Sequence, residues 1–127
     1  MTSNMKEKMA HAWRGKLCKA VDDLIDASHV FGLPKHVLMN INDFNLAWRT
    51  MKDKMIEEIC NNCSSRHFKY QMILDRDAAF FQNTNDEFMN SLNMNEWLEV
   101  LDDGDQKIFW GHLKTIFYWA RRLNKGQ

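Results

Sequence analysis

The chain has 127 residues, of which 45% are hydrophobic, 12% aromatic and 27% charged. This composition excludes a disordered, collagenous or fibrous chain and predicts one soluble globular domain, which at this length buries a core without disulfides or a structural metal. The 17 Lys and Arg residues balance 17 Asp and Glu residues, so the chain as a whole lacks the positive charge of a dedicated nucleic-acid-binding protein.

The first element in chain order is an amphipathic helix from Lys6 to about Val30. Its apolar residues recur every three or four positions, which is the spacing of one helix face. They include Met9, Trp13, Leu17, Val21 and Leu24. Gly32 and Pro34 end this helix, because glycine adopts the left-handed cap conformation and proline cannot continue the hydrogen-bond ladder.

A second long helix is predicted after this turn. A short helical turn over 35–39 comes first. Asn42 then has the position of an N-cap, and an apolar face continues from it to about Asn62.

The polar residues at 61–65 separate the second helix from a third. Ser65 is the predicted cap of a helix that runs from Arg66 into the Phe80–Phe81 pair. The Asp-Arg-Asp sequence at 75–77 is expected to bend it.

Three capping patterns open the remaining helices. In each, a capping residue is followed three positions later by Glu or Gln, which is the reciprocal capping box. The pairs are Thr84 with Glu87, Asn93 with Glu96, and Asp103 with Gln106. The first two open short helices, and the third opens a last helix from about Asp105 to Leu123. Because that helix is apolar on nearly all sides, we expect it to be the central element.

These elements predict an all-α fold, a compact bundle of five to six helices in a single domain over residues 1–127. We expect residues 1–5 to be disordered and residues 124–127 to be frayed. The polar N-terminus has no signal-peptide core and no run of 18 apolar residues occurs, so we expect an intracellular, cytoplasmic protein with no membrane partner. Three cysteines in such a chain are expected to be reduced thiols.

The sharpest local pattern is Cys60, Cys63 and His67, because two thiolates and an imidazole at this spacing suit zinc. A structural zinc site needs a fourth ligand. The candidates, none of which belongs to a second paired motif, are Cys18, His29 and His11. In the alternative interpretation, Cys60 and Cys63 are small buried hydrophobic residues and His67 begins the next helix.

No catalytic motif is present. Ser64, Ser65, His67 and Asp75 are close in sequence, but neither serine lies in a strand–turn–helix elbow or beside a glycine-rich oxyanion loop. The acidic residues around Gly104 lack the closing glutamate of a calcium loop, and we interpret them as charges at the start of the last helix. We therefore predict no enzyme activity, no cofactor and no small-molecule substrate.

Charge is segregated along the chain. Nine acidic residues and one arginine lie between 75 and 105, whereas both ends are basic. If the ends lie side by side, they form a patch for nucleic acid or for an acidic partner. In the alternative, the acidic segment packs beside the basic ends and neutralises them. The predicted nucleic-acid patch is Lys6, Lys8, Arg14, Lys16, Lys19, Arg121, Arg122 and Lys125.

Methionine and aromatic residues provide the remaining signal, since they form adaptable contact surfaces as well as cores. Four tryptophans fall on apolar helix faces and are predicted core residues: Trp13, Trp48, Trp97 and Trp110. Tyr118 and Trp119 lie on the outer side of the last helix, with Arg122 one turn further on. These three residues are the predicted interaction surface, for a partner protein or for self-association.

The second half of the chain has a distinctive order of residues. It consists of ILDRDAAFF at 73–81, the segment 86–92, Trp97, KIFWGHL at 107–113 and Ala120. This order resembles that of small uncharacterised helical proteins encoded by large nucleocytoplasmic DNA viruses. The resemblance implies a setting in the cytoplasm of an infected cell or in the virion, and it implies no activity, cofactor or catalytic residue.

Three functional hypotheses follow. The leading one is a non-catalytic protein-interaction or structural module, such as a viral accessory or virion component. The alternative is a nucleic-acid-associated protein that uses its basic ends. The weaker alternative is a regulatory domain stabilised by zinc.

Overall fold

The computed structural model describes residues 3–65, 68–82 and 87–126. Within these residues it contains seven α-helices, one 3₁₀ turn and no strand, which confirms the all-α prediction. The helices are α1 (Ser3–Ser28), α2 (Lys35–Thr50), α3 (Lys52–Asn62), α4 (Tyr70–Leu74), α5 (Glu87–Leu92), α6 (Met94–Val100) and α7 (Asp103–Gly126). The 3₁₀ turn is Ala78–Gln82.

The centre of the molecule is an antiparallel pair formed by α1 and α7. Arg122 lies over the Trp13 ring and Lys16 lies over the Trp119 ring, so residue numbers rise along α1 as they fall along α7. Fully buried side chains of this pair are Leu17 and Val21 of α1 and Leu113, Ile116 and Phe117 of α7. Helix α7 also packs against α3 and α4. The prediction that the last helix is the central element is therefore correct, but one side of α7 faces solvent.

The predicted second helix is two helices. Helix α2 begins directly after Pro34, whose φ of −58° suits a helix start, and it continues through Asn42, so the predicted N-cap is wrong. The chain leaves the helical conformation at Met51, with φ −127° and ψ 40°, and α3 follows. Buried residues of α2 recur every three or four positions and hold it to the core: Val37, Ile41, Phe44 and Trp48.

Three described residues have left-handed backbone conformations, and two of them, Gly32 and Arg76, lie in predicted turns. Gly32 has φ +71°, which confirms the predicted glycine turn after α1. Arg76 has φ 54° and separates α4 from the 3₁₀ turn, which confirms the predicted bend at 75–77. Arg66, the predicted start of the third helix, lies outside the described residues.

The capping predictions are wrong in detail. Asp102, one residue before the predicted cap, caps α7 by accepting a hydrogen bond from the Asp105 backbone N–H at 2.8 Å. Gln106 does not reach back to Asp103; its amide donates to the carbonyls of Leu98 and Leu101. Asn93 precedes α6 in the left-handed conformation and makes no side-chain cap. Thr84, of the remaining predicted pair, lies outside the described residues.

The described residues nearest the two ends are helical. Helix α1 begins at Ser3 and α7 ends at Gly126, while residues 1, 2 and 127 lie outside the described residues. The last turn of α7 is held by Asn124, because the Ser64 hydroxyl donates to its Oδ1 at 3.1 Å. That contact ties the end of α7 to the chain just after α3.

Candidate interaction surface

A cluster of cations and aromatic rings lies at the surface of the α1–α7 contact. The Arg122 guanidinium carbon lies 5.0 Å from the ring centre of Trp13, 5.7 Å from that of Tyr118 and 5.9 Å from that of Trp119. Lys16 Nζ lies 5.4 Å from the Trp119 ring centre. These are cation–π distances. We call these five residues the seam cluster.

Helix periodicity brings the seam cluster together. Trp13 and Lys16 are three residues apart on α1, and Tyr118 and Arg122 are four apart on α7, so each pair shares one helix side. Arg122 Nη1 also donates to the Tyr118 hydroxyl at 2.8 Å, which fixes the guanidinium plane. A guanidinium held in this way has further N–H groups that can donate hydrogen bonds to a carboxylate or a phosphate.

The seam cluster continues into an exposed row of residues along α7. The row follows four- and three-residue steps, which keep residues on one side of a helix. All its members are exposed: Gly104, Ile108, Gly111, Thr115, Tyr118 and Arg122. Ile108 is 49% exposed and Tyr118 is 40% exposed. We call this row the α7 face.

Nothing in the described part of the molecule requires a glycine at position 111. Apart from the backbone of its own helix and its chain neighbours, a Cβ atom added to Gly111 would meet no described atom within 4 Å. A glycine inside a helix lowers helix stability by up to about 1 kcal/mol relative to alanine. The α7 face therefore has an open notch at its middle, where another backbone can approach closely.

Cations line one flank of the α7 face. Lys107, Lys114 and Arg121 follow each other at seven-residue steps, and Lys125 lies one turn beyond Arg121. The Arg121 guanidinium stacks on the Tyr70 ring at 4.4 Å. No carboxylate side chain occurs in α7 after Asp105, so this flank is positive from Lys107 to Lys125.

The structure brings together only part of the predicted nucleic-acid patch. Lys16 and Arg122 meet in the seam cluster, and Arg121 and Lys125 lie nearby on α7. Arg14 instead forms an ion pair with Asp53 of α3, and Lys19 pairs with Asp23 at 3.0 Å within α1. Lys6 and Lys8 are exposed on the first turns of α1.

The described part of the acidic segment forms no ion pair with the basic ends. Two ion pairs and one His–Glu contact occur among the described residues, and none of them joins residues 75–105 to the seam cluster or to the cations of α7. Glu96 pairs with His36 at 2.6 Å, while Glu99, Asp103 and Asp105 have no ion-pair partner in the described part of the chain. The molecule therefore has an acidic end around the start of α7 and a basic end around its last turns.

The cysteines have the properties of structural thiols. All three are reduced. Burial raises the pKa of Cys60 to about 11 and also raises the pKa of Cys18, so neither thiol is a ready nucleophile near neutral pH. His67 of the predicted zinc site lies outside the described residues. Among those described, no three His, Cys, Asp or Glu side chains form a metal-binding group.

A groove of about 340 Å³ between α2 and α3 is the feature that sequence reasoning missed. Its floor is apolar, with Phe44, Ala47, Met51 and Met55. The charged residues that line it are Asp43, Lys54 and Glu58. The groove depends on the break at Met51, which hydrophobic periodicity did not predict.

The predicted interaction residues differ in exposure. Tyr118 is exposed, whereas Trp119 is half-buried and packs against the core. Trp48, Trp97 and Trp110 are buried as predicted, but Trp13 is half-buried and belongs to the seam cluster. Spacing along one helix cannot show that Trp13 stands beside Arg122, because that contact depends on the packing of α1 against α7.

Comparison of the chain with protein families, with curated proteins and with solved structures finds no match. None of the described helices has the length and apolar character needed to cross a membrane.

Proposed function

We propose that the protein is a non-catalytic interaction module that binds an acidic protein surface through the α7 face and the seam cluster. One observation carries this proposal: an exposed row containing Ile108, Gly111 and Tyr118 has a line of cations along one flank, from Lys107 to Lys125. Apolar side chains supply contact area, the open glycine permits close approach, and the stacked guanidinium of Arg122 supplies directed hydrogen bonds.

The surface favours a protein over a nucleic acid. Proteins that bind single strands stack bases on open aromatic rings, whereas cations cover the rings of Trp13 and Trp119 here. The cationic flank also ends beside the carboxylates of Asp103 and Asp105, which would repel a continuing phosphate backbone. Ile108 and the notch at Gly111 suit a packed helix.

A titration with a labelled amphipathic peptide of glutamate and leucine tests the proposal. We expect binding measured by fluorescence anisotropy, a roughly tenfold loss with Arg122→Gln, and a smaller loss with Tyr118→Ala. Lys54→Gln, at an exposed lysine of α3, is the matched control. Circular dichroism should show unchanged helicity in every variant.

The same titration with an oligonucleotide of equal charge tests the alternative. Tighter binding of the oligonucleotide, with an affinity that falls steeply with salt, would replace this proposal with the nucleic-acid function.

The resemblance to viral proteins implies a virion or infected-cell setting for the module. The partner there would be a structural protein with an acidic, partly apolar surface.

A further inference from the structure

We infer that a polar cleft between α1 and the junction of α2 with α3 binds a small zwitterion of the amino-acid or short-peptide class, which carries one ammonium and one carboxylate. The cleft has a volume of about 540 Å³, which is within the range of small-molecule sites. Its lining residues come from the segments 22–29 and 45–52. The inference is therefore independent of the α7 face and goes beyond the proposed function.

One wall of the cleft is acidic. Asp22 and Asp26 of α1 are four residues apart, so both carboxylates lie on one side of the helix. Neither has an ion-pair partner among the described residues, whereas the neighbouring Asp23 pairs with Lys19 at 3.0 Å. We call Asp22 and Asp26 the acidic wall.

The acidic wall is unfavourable for its own helix. Carboxylates four residues apart repel each other, and Asp26 lies in the last turn of α1, where the helix dipole favours a cation. That last turn contains no basic residue. An ammonium bound between the two carboxylates would remove both unfavourable effects. The missing positive charge is therefore one that a ligand can supply.

A second wall of the cleft is basic. Arg49 of α2 and Lys52 of α3 line it, and we call them the basic wall. Neither forms an ion pair with the acidic wall, so the charged atoms of the two walls are more than about 4 Å apart. Opposite charges thus face the same cleft without neutralising each other.

Three of the four charged side chains are fixed by contacts inside the molecule. The Trp48 indole N–H donates to Asp22 Oδ1 at 2.8 Å, which leaves Oδ2 as an acceptor. Lys52 Nζ lies 5.1 Å from the Trp48 ring centre. Arg49 Nε donates to Asn45 Oδ1 at 3.4 Å, so its terminal N–H groups can bind a carboxylate. Charges that are already in place lose less entropy when a ligand binds.

The separated charges favour a ligand that carries both signs. A simple cation is repelled by the basic wall, and a simple anion is repelled by the acidic wall. In a zwitterion, the ammonium donates to the carboxylates of the acidic wall, and the carboxylate accepts from the guanidinium and the ammonium of the basic wall. The four charges of the two walls cancel, as do the two charges of the ligand.

A titration followed by NMR tests this inference with glycine, diglycine and triglycine, which place the two charges at increasing separations. We expect the Trp48 indole N–H signal to shift, because this group lies at the cleft, while the signals of the four other tryptophans stay unchanged. The N-acetylated and the amidated forms of the tightest binder each lack one charge. Each should bind about tenfold more weakly than the zwitterion.

Substitutions in the two walls should weaken binding of the same probe. We expect Asp26→Asn and Arg49→Gln each to raise its dissociation constant about tenfold. Asp43→Asn and Lys54→Gln are the matched controls, since they neutralise exposed charges that do not line the cleft. Asp26→Asn should also raise the melting temperature of the free protein, because it removes the repulsion within α1.

Four results would overturn the inference. The first is an unchanged Trp48 signal with all three glycine probes, and the second is equal binding of the zwitterion and its two blocked forms. The third is a loss of binding with Asp43→Asn or Lys54→Gln in place of the wall variants, which would put the ligand in the groove between α2 and α3. The fourth is a lower melting temperature with Asp26→Asn, which would show that this carboxylate stabilises the fold.

Discussion

Single side chains join the helices of this protein, and Trp48, which links α2 to α1, is an example. It is fully buried in α2, and its indole N–H donates to Asp22 Oδ1 of α1 at 2.8 Å. A buried donor that loses its acceptor costs about 1–3 kcal/mol. The carboxylate of Asp22 therefore satisfies a hydrogen-bond donor of the core, although Asp22 itself is exposed.

Removal of this acceptor should destabilise the fold. We expect Asp22→Ala to lower the free energy of unfolding by about 1–3 kcal/mol, measured by urea denaturation. Asp22→Asn retains an oxygen acceptor and should lose much less. Equal losses in the two variants would show that the charge of Asp22, and not its hydrogen bond to Trp48, stabilises the protein.

The thiol of Cys60 should make stability depend on alkaline pH. Its pKa rises from 9.0 in the unfolded chain to about 11 in the folded protein because of burial. The folded state therefore favours the protonated thiol, and this contribution is complete below pH 9 and lost as the pH rises to 11. We expect wild type to lose about 2 kcal/mol more than Cys60→Ala over this range. Parallel pH profiles for the two proteins would contradict this prediction.

At the scale of elements, the start of α7 has a single capping side chain. Asp102 Oδ1 accepts the Asp105 backbone N–H, whereas Asp103 makes no such hydrogen bond. We expect Asp102→Ala to lower the melting temperature and to cost about 1 kcal/mol of unfolding free energy. Asp103→Ala is the matched control and should cost a few tenths of a kcal/mol, through the helix dipole alone. A larger effect at Asp103 would show that the cap lies one residue later.

The elements show which features a sequence pattern can predict. The apolar spacing predicted helix throughout, and the turn at Gly32 and the bend at Arg76 were also predicted, because local backbone chemistry decides them. The cap of α7 was placed one residue late, since Asp102 and Asp103 are equally good capping residues in sequence. The break at Met51 has no proline or glycine, so tertiary packing decides it.

The candidate site was predicted only on its α7 side. Tyr118 and Arg122 were identified because they stand out from the apolar spacing of the last helix. Lys16 was grouped with Arg122 only in the alternative nucleic-acid patch, and Trp13 was predicted to be a core residue. The contact between the first and the last helix is a property of the fold and not of any local window. The α7 face was missed because its glycines and threonine resemble ordinary surface residues in sequence.

At the scale of the whole molecule, charge has little part in holding the fold together. The described residues contain two ion pairs and one contact between His36 and Glu96, all between exposed or half-exposed side chains. Such pairs contribute about 0–1 kcal/mol each and are screened by salt. The segregated charges therefore remain available for intermolecular contacts.

Added salt should therefore weaken peptide binding more than it changes the stability of the fold. Between 0.05 and 0.5 M NaCl, values chosen to span the screening range, we expect the free energy of unfolding to change by less than about 1 kcal/mol. Peptide binding should weaken severalfold over the same range. Urea denaturation measures the free energy of unfolding, and fluorescence anisotropy measures peptide binding, on the same samples. A comparable loss of stability and of binding would show that the charges support the fold itself.

The pairing of α1 with α7 has a consequence for the order in which the protein folds. Helix α1 is made before its principal partner α7, so its apolar side, with Leu17 and Val21, stays uncovered while the segments between the two helices are made. Contacts between distant parts of a sequence form slowly, because the intervening chain must close first. The pairing of α1 therefore waits until α7 has left the ribosome, and the nascent chain presents an amphipathic helix to chaperones until then.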